Sequence, residues 1–194
     1  LFKKKIKSKI PNKNAIFTSN PMRGLSWLLE KWENYIFPKC KDSKLLIFSG
    51  FQTYGKFGNK HHKEINEILL KAKSLKNKGV ILNEPIKREN LFNKLENSRV
   101  FIYKGSMDET FCMAVAESQM LGVPAVVGNL GCLKERVIDR KTGFVCKNDE
   151  EFCKTTIKLL NDNRLWRNMN NELRKKKNYL TWKEVAEKWL KIIT

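Results

Sequence analysis

Two glutamates eight residues apart stand out in the segment DETFCMAVAESQMLGVPAV, which runs from Asp108 to Val126. Glu109 lies near its start, and Glu117 lies inside a short and otherwise apolar stretch that precedes an apolar strand. An unpaired carboxylate at the edge of a core is costly, so each glutamate needs a partner in the protein or in a ligand. Carboxylates accept charge-strengthened hydrogen bonds from paired hydroxyl groups. The two glutamates are therefore candidates for holding a polyhydroxylated ligand.

The same segment predicts a helix over residues 111–121 whose start is suited to phosphate. The first N–H groups of a helix, here from Thr110 to Met113, lack intrahelical partners and carry a partial positive charge. Glu117 would lie 1.5–2 turns inside the helix, roughly 9 Å along its axis. The two sugar rings of a nucleotide diphosphate sugar are separated by a similar length. Spacing alone leaves an alternative open, since Glu109 could simply complement the helix dipole.

Alternating apolar strands and amphipathic helices surround this segment. Short connections between such elements are typical of a parallel sheet covered by helices on both faces, where ligands bind at the carboxyl ends of the strands. We therefore predict a Rossmann-like three-layer α/β/α domain with a mainly parallel sheet of about six strands. The predicted strands are residues 14–19, 44–50, 80–82, 100–103, 124–127 and 144–146, and the predicted helices are residues 24–36, 61–77, 87–98, 111–121, 150–160, 165–176 and 182–193.

The chain has 194 residues and a net charge of +19, with 31 lysines, 8 arginines and 19 asparagines. Lysine and asparagine rise together in AT-rich genomes, so composition explains much of this charge. An anionic membrane surface is the second explanation. Nucleic acid is not expected as a partner, because aromatic residues do not alternate with the basic ones as on a base-stacking surface. No signal peptide or apolar membrane span is visible, which predicts a cytoplasmic protein, with a peripheral position at the membrane surface as the alternative.

The cysteine and histidine patterns do not indicate a metal site. The five cysteines include no C-x-x-C pair, and the only two histidines, His61 and His62, are adjacent and lack a nearby cysteine. Buried free thiols are predicted in place of disulfides or a zinc site. No cofactor or metal is expected.

The glutamate segment resembles the E-x7-E motif of glycosyltransferases of the GT-B fold, specifically family 4. SNPMRGLSWLLEKW is similar to the Lys-Gly or Arg-Gly start of that family's first helix, KERVIDRKTGFVC to its P-E-V-I-x-D-G-x-T-G segment, and YLTWKEVAEKW to a late S-W-x-x-x-A stretch. The resemblance runs in order from about Ala15 to Ile193 and covers only the C-terminal half of such enzymes. It implies a basic linker over residues 1–14, a nucleotide-sugar-binding domain over residues 15–194, and a missing N-terminal acceptor-binding domain. The first residue, Leu1, agrees with a fragment.

The resemblance also implies residue roles in transfer from a UDP- or GDP-sugar with retention of configuration. Arg23 and Glu109 would be catalytic, Arg23 by neutralising the leaving phosphate and Glu109 by binding hydroxyls of the transferred sugar. Glu117 would bind the ribose. The remaining donor-binding residues would be Thr110, Phe111, Cys112 and Met113 at the diphosphate and Pro85 and Ile86 near the nucleobase.

Two departures from the family pattern bear on phosphate binding. Thr18 stands where many members carry a second arginine, and Cys112 stands where many carry glycine. The alternative function is a non-catalytic nucleotide-sugar-binding subunit that works with a separate acceptor-binding chain. A basic nucleic-acid-binding domain is a third and weaker alternative.

Overall fold

The computed structural model describes residues 9–52, 60–175 and 182–193. Six strands form one sheet in the order β3-β2-β1-β4-β5-β6, and every neighbouring pair is parallel. The predicted α/β fold is therefore confirmed. The strands are β1 (Asn14–Phe17), β2 (Lys44–Phe48), β3 (Val80–Asn83), β4 (Val100–Tyr103), β5 (Ala125–Gly128) and β6 (Gly143–Cys146).

Helices connect the strands and pack on the sheet. They are α1 (Leu25–Lys31), α2 (His62–Ser74), α3 (Arg88–Glu96), α4 (Met113–Met120), α5 (Leu133–Arg136), α6 (Asp149–Asn161), α7 (Asn163–Lys175) and α8 (Trp182–Ile193). The short helix α5 was not predicted, because four residues are too few to show a helical period.

The predicted helix over residues 24–36 is more irregular than its apolar spacing indicates. α1 ends at Lys31 and continues as a π-helical turn over Trp32–Ile36 and a 3-10 turn over Phe37–Lys39. Trp32 is fully buried in this wider turn, and its Nε1 donates to the Lys78 carbonyl oxygen at 2.8 Å. The rearranged turn thus accommodates a large side chain while satisfying its polar atom.

The core lies on both faces of the sheet. All four residues of β4 are buried, as are Ala15, Ile16 and Phe17 of β1. Strands covered on both faces lack strict apolar–polar alternation, as the sequence predicted. The ends of β1 and β4 are therefore held in a rigid layer from which the following loops project.

A buried arginine fixes the last two helices of the core to β4. Arg99 donates from Nε to the Leu159 carbonyl oxygen at 2.9 Å and from Nη2 to Asn163 Oδ1 at 2.7 Å. Trp166 Nε1 donates back to the Arg99 carbonyl oxygen at 2.9 Å. Burial lowers the pKa of Arg99, but every donor engaged in these bonds faces an oxygen. α6 and α7 are thus tied to the strand that leads into the candidate site.

The predictions for cysteines are confirmed, since all five are free and buried. His62 stacks on Phe51 with ring centroids 4.5 Å apart. Within the described ranges, no group of three or more His, Cys, Asp or Glu residues is arranged to hold a metal ion. Nor does any helix of those ranges have the length and apolar character needed to cross a bilayer.

Some predicted features lie outside the described residues. They are residues 1–8 of the basic segment, residue 176 at the end of the helix predicted over residues 165–176, and residues 179–181 of the YLTWKEVAEKW stretch. The described end of the N-terminal segment contacts the domain, because Arg99 Nη1 lies 3.5 Å from the Pro11 carbonyl oxygen and β1 already begins at Asn14. The division into a segment over residues 1–14 and a domain over residues 15–194 stays a prediction.

Candidate functional site

The strand order reverses between β1 and β4, and their two following loops meet at this point. A reversal of this kind opens a crevice at the carboxyl edge of a parallel sheet. Arg23 lies in the loop after β1, and Glu109 lies in the loop after β4. The two residues that the sequence assigned to catalysis therefore come from the two strands that border the crevice.

Arg23 and Glu109 contact each other directly. Arg23 Nη1 donates to Glu109 Oε1, and the hydroxyl of Tyr103, the last residue of β4, donates to the same oxygen. Burial lowers the pKa of Arg23, but the interactions with Glu109 and Tyr103 together outweigh burial, so this pKa lies above its ordinary value. Burial, together with the hydrogen bond to Glu109, raises the pKa of Tyr103, which remains a protonated donor. The partner that the sequence analysis requires for Glu109 is thus supplied within the protein, by Arg23 and Tyr103.

The loop that carries Glu109 is pressed against a glycine. Cys132 N donates to the Glu109 carbonyl oxygen at 3.0 Å, and Glu109 N donates to the Ser106 carbonyl oxygen at 3.2 Å. Gly131 adopts φ 50°, and a Cβ there would lie 2.8 Å from both carbonyl oxygens. Only glycine allows this close approach, so the position of Glu109 depends on the neighbouring loop.

The helix predicted from residue 111 begins two residues later, at Met113. Cys112 precedes it at φ 56° and ψ 72°, a left-handed conformation that interrupts the helix and that favours glycine. This conformation explains why glycine suits the position in the related family. Glu117 consequently lies four residues into α4, about 6 Å along the axis, in place of the roughly 9 Å predicted.

The start of α4 is open to a ligand. Phe111 and Met113 are exposed, and Thr110 is exposed beside them. Cys112 is buried, and burial raises the pKa of its thiol to about 12. Cys112 therefore acts as a neutral packing group at this helix start and not as a thiolate.

Glu117 is paired with a residue that the sequence analysis did not identify. Arg88 Nη2 lies 2.5 Å from Glu117 Oε1, with the arginine side chain 58% exposed and the glutamate side chain 14% exposed. Arg88 is the first residue of α3, and its guanidinium lies 5.2 Å from the Phe92 ring centroid. This ion pair places the connection between β3 and α3 beside α4.

The predicted nucleobase residues belong to that connection. Pro85 is partly buried against the end of β2, where a Cβ on Gly50 would lie 3.2 Å from Pro85 Cδ. Ile86 is exposed and lies two residues before Arg88. The structure thus brings Arg23 into contact with Glu109, while Pro85 and Ile86 are linked to Glu117 through Arg88.

Signals for the two unpredicted residues were present but weak. Tyr103 is the only residue with a polar tip in the strand VFIY, and Arg88 is one of only 8 arginines in a chain with 31 lysines. The arginines that the structure places at specific contacts include Arg23, Arg88 and Arg99. In a chain rich in lysine, the few arginines therefore indicate positions of specific side-chain contacts.

Two cavities lie away from the predicted site residues. One of about 580 Å³ lies beside α7, and another of about 570 Å³ lies between the end of α1 and the start of α6. None of the predicted site residues lines either cavity.

Comparison with solved structures shows the same fold in glycosyltransferases. S. aureus TarM, solved as a mutant with fondaparinux, α-GlcNAc-glycerol and UDP, is 16% identical with a TM-score of 0.77, and the match covers 99% of this chain and 38% of TarM. The C-terminal domain of a glycosyl transferase group 1 protein, LpcC of Francisella tularensis, is 15% identical with a TM-score of 0.67, and the match covers 93% of this chain and 95% of that domain. Anabaena HepE, solved with UDP and glucose, is 13% identical with a TM-score of 0.67, and the match covers 84% of this chain and 43% of HepE.

The chain spans less than half the length of the first three solved chains that it matches. No curated protein sequence matches it significantly. The family model described as Glycosyl transferases group 1 matches residues 20–176, which is more than half of the chain. The predicted resemblance to GT-B glycosyltransferases is confirmed, and the chain belongs to the glycosyl transferases group 1 family.

Proposed function

We propose that this chain is the donor-binding domain of a retaining, family 4 glycosyltransferase, which transfers a sugar from a UDP- or GDP-sugar to an acceptor. The observation that carries the proposal is the contact of Arg23 with Glu109 where the strand order reverses. A cation and a carboxylate at this point offer one partner to a phosphate and one to a sugar hydroxyl. UDP is a ligand in the solved structures of TarM and HepE, which share the fold.

Each site residue has a role that follows from its chemistry. Glu117 accepts hydrogen bonds from the ribose hydroxyls, and Glu109 accepts them from the transferred sugar. The backbone N–H groups of Phe111, Cys112 and Met113 face the diphosphate. Thr110, which is exposed at the same helix start, completes the diphosphate site.

Arg23 stabilises the leaving group. Negative charge grows on the diphosphate as the glycosidic bond breaks, and a fixed cation lowers the free energy of that transition state. A guanidinium has five N–H donors, so Arg23 can remain bonded to Glu109 while it donates to phosphate. Arg23 and the start of α4 together would supply the positive charge that other enzymes obtain from a divalent cation, and we propose a metal-independent reaction.

The acceptor is held by another folded unit in this proposal, the N-terminal domain. α8 supports the proposal, because Trp189, Ile192 and Ile193 on this helix are 62%, 75% and 71% exposed. Burial of three such side chains against a second unit would contribute about 1.5–3 kcal/mol each. The alternative is a natural split enzyme in which this chain is a nucleotide-sugar-binding subunit and the acceptor-binding chain is separate.

Thermal shift and calorimetry of the 194-residue chain with UDP, GDP and their sugars test the proposal. A ligand that binds only the folded state raises the melting temperature, and we expect at least one nucleotide to do so. Arg23→Met should reduce that shift, whereas Arg167→Met on the exposed face of α7 should not. If no nucleotide or nucleotide sugar at millimolar concentration changes the melting temperature, the proposed function is wrong.

The same chain should bind nucleotide sugar without transferring the sugar. Addition of the native upstream sequence should restore transfer if the two units form one enzyme. Robust transfer by the 194-residue chain alone would contradict a separate acceptor-binding unit.

A second proposal concerns the net charge of +19, which favours contact with an anionic membrane surface. Each basic residue near such a surface contributes about 1 kcal/mol. We expect co-sedimentation with anionic vesicles and not with neutral ones, weakened between low and physiological salt. Equal and negligible recovery on both vesicle types at low salt would leave lysine-rich composition as the explanation of the charge.

A further inference from the structure

We propose that Arg88 is a positioning residue of the nucleotide site, and that it holds the Glu117 carboxylate in the orientation that accepts the ribose hydroxyls. This inference rests on the proposed function. Arg88 was not among the residues that the sequence or the family resemblance assigned to the site. Its role would be exerted through Glu117.

The contact itself is the first reason. Arg88 Nη2 lies 2.5 Å from Glu117 Oε1, so the guanidinium and the carboxylate form a direct ion pair. A carboxylate has two oxygens with about four lone-pair positions. Pairing through Oε1 therefore restricts the rotation of the carboxylate and leaves accepting capacity for the paired hydroxyls of a ribose.

The support behind Arg88 is the second reason. Its guanidinium lies 5.2 Å from the ring centroid of Phe92, and Phe92 is buried in the core. Arg88 and Phe92 both belong to α3, which packs against α4, where Glu117 is located. The ion pair thus connects two packed helices and does not depend on a free loop.

Exposure distinguishes a positioning role from a purely structural one. The Arg88 side chain is 58% exposed, and ion pairs with such an exposed partner contribute little to stability. The Glu117 side chain is only 14% exposed and requires a partner in the absence of ligand. Arg88 supplies that partner from the start of α3, two residues after Ile86 in the sequence.

The test compares ribonucleotides with analogues that lack the ribose hydroxyls. The affinities of the 194-residue chain for UDP and GDP are measured beside those for their 2′,3′-dideoxy counterparts. Arg88→Met should weaken binding of the preferred ribonucleotide about tenfold and leave binding of its dideoxy analogue nearly unchanged. Arg88→Lys keeps the charge without the planar group and should recover part of the loss.

Two further variants separate positioning from folding. Arg140→Met removes another exposed arginine, which lies 3.5 Å from its own acidic neighbour Asp139, and should change neither affinity. In a double-mutant cycle, Arg88→Met should add almost nothing to the loss already caused by Glu117→Ala, because Arg88 acts through Glu117. Melting temperatures show whether each variant remains folded.

The outcomes distinguish this inference from the proposed function. If Glu117→Ala removes the preference for ribose and folded Arg88→Met retains it, the role of Arg88 is wrong and the proposed function stands. Losses that add in the double variant would likewise overturn it. If the parent chain binds no nucleotide, both the inference and the proposed function are wrong.

Discussion

Arg23 and Glu109 form an ion pair between residues 86 positions apart in the sequence, across the point where the strand order of the sheet reverses. The Tyr103 hydroxyl shares the same carboxylate oxygen. In the ligand-free chain, the residue proposed for the leaving phosphate is therefore bonded to the residue proposed for the sugar. Ligand binding at one of them must affect the other.

Replacement of Glu109 should weaken binding of the sugar part of the donor without weakening binding of its nucleotide part. Glu109→Gln retains the size of the side chain but removes the charge that holds Arg23. We expect binding of a UDP- or GDP-sugar to weaken by about 1.5–3 kcal/mol relative to the free nucleotide, the range for hydrogen bonds to charged groups. Binding of the free nucleotide should not weaken, because Arg23 is released toward phosphate. Titration calorimetry with both ligands measures the difference, and equal losses for both would contradict the assigned sugar contact.

Replacement of Glu117 should affect the nucleotide itself. Glu117→Ala should weaken UDP or GDP binding by about 1.5–3 kcal/mol, while the fold is retained. Glu172→Ala is a matched control, because Glu172 pairs with Lys175 at 2.8 Å on α7, away from the site. Nucleotide binding by the Glu117 variant as tight as that of the parent chain would show that this carboxylate does not bind the ribose.

The sequence predicted the fold more completely than the site. All six strands could be predicted from apolar runs bounded by turn residues, because a parallel strand that is buried on both faces consists largely of such a run. The start of α4 was misplaced by two residues, since no local pattern reveals that Cys112 adopts a positive φ. Arg88 was missed for a different reason. Its partner Glu117 is on another helix, and contacts across elements depend on packing that a single sequence does not display.

A methyl group on Gly131 should displace the loop that carries Glu109. The Cβ of Gly131→Ala would lie 2.8 Å from the carbonyl oxygens of Ser106 and Glu109, and φ 50° is strained for alanine. We expect nucleotide-sugar affinity to fall at least tenfold together with a loss of about 1–3 kcal/mol in the free energy of unfolding. Urea unfolding and calorimetry give the two values. Unchanged affinity would show that the loop does not depend on this close approach.

Cysteine at position 112 should be less favourable for the backbone than glycine. Cys112→Gly and Cys112→Ala both remove the thiol, so their comparison isolates the left-handed conformation at φ 56°. Because alanine retains the Cβ that disfavours this region, the glycine variant should be more stable by about 1 kcal/mol. Denaturant unfolding of the two variants provides the measurement. An alanine variant that is the more stable of the two would mean that the conformation costs little here.

Alkaline pH should destabilise the fold through its buried thiols. Burial raises the pKa of Cys146 to about 11, whereas an unfolded thiol titrates near about 8.5. Above pH 8.5 the unfolded chain loses this proton while the folded chain keeps it, so the free energy of unfolding falls as pH rises. The stabilisation that the protonated Cys146 thiol provides is complete below about pH 8.5. Above that pH it decreases by about 1.4 kcal/mol per pH unit, until the pH reaches the pKa of the folded state.

Cys146→Ala isolates that contribution. Between pH 8.5 and 10 the parent chain should lose about 1.5 kcal/mol more than the variant, as measured by urea unfolding at both pH values. The other titrating groups are common to the two proteins and cancel. Identical losses would show that the Cys146 thiol is not shielded from solvent in the folded state.

The pairing of β1 with β4 has a kinetic consequence. Ala15 aligns with Val100, and β2 and β3 lie between these two strands in the sequence. Contacts of such long range form late when loop-closure entropy limits folding. The Arg23–Glu109 pair exists only once those two strands are adjacent. Bound nucleotide should therefore slow unfolding and leave the refolding rate nearly unchanged, because its site forms only at the end of folding.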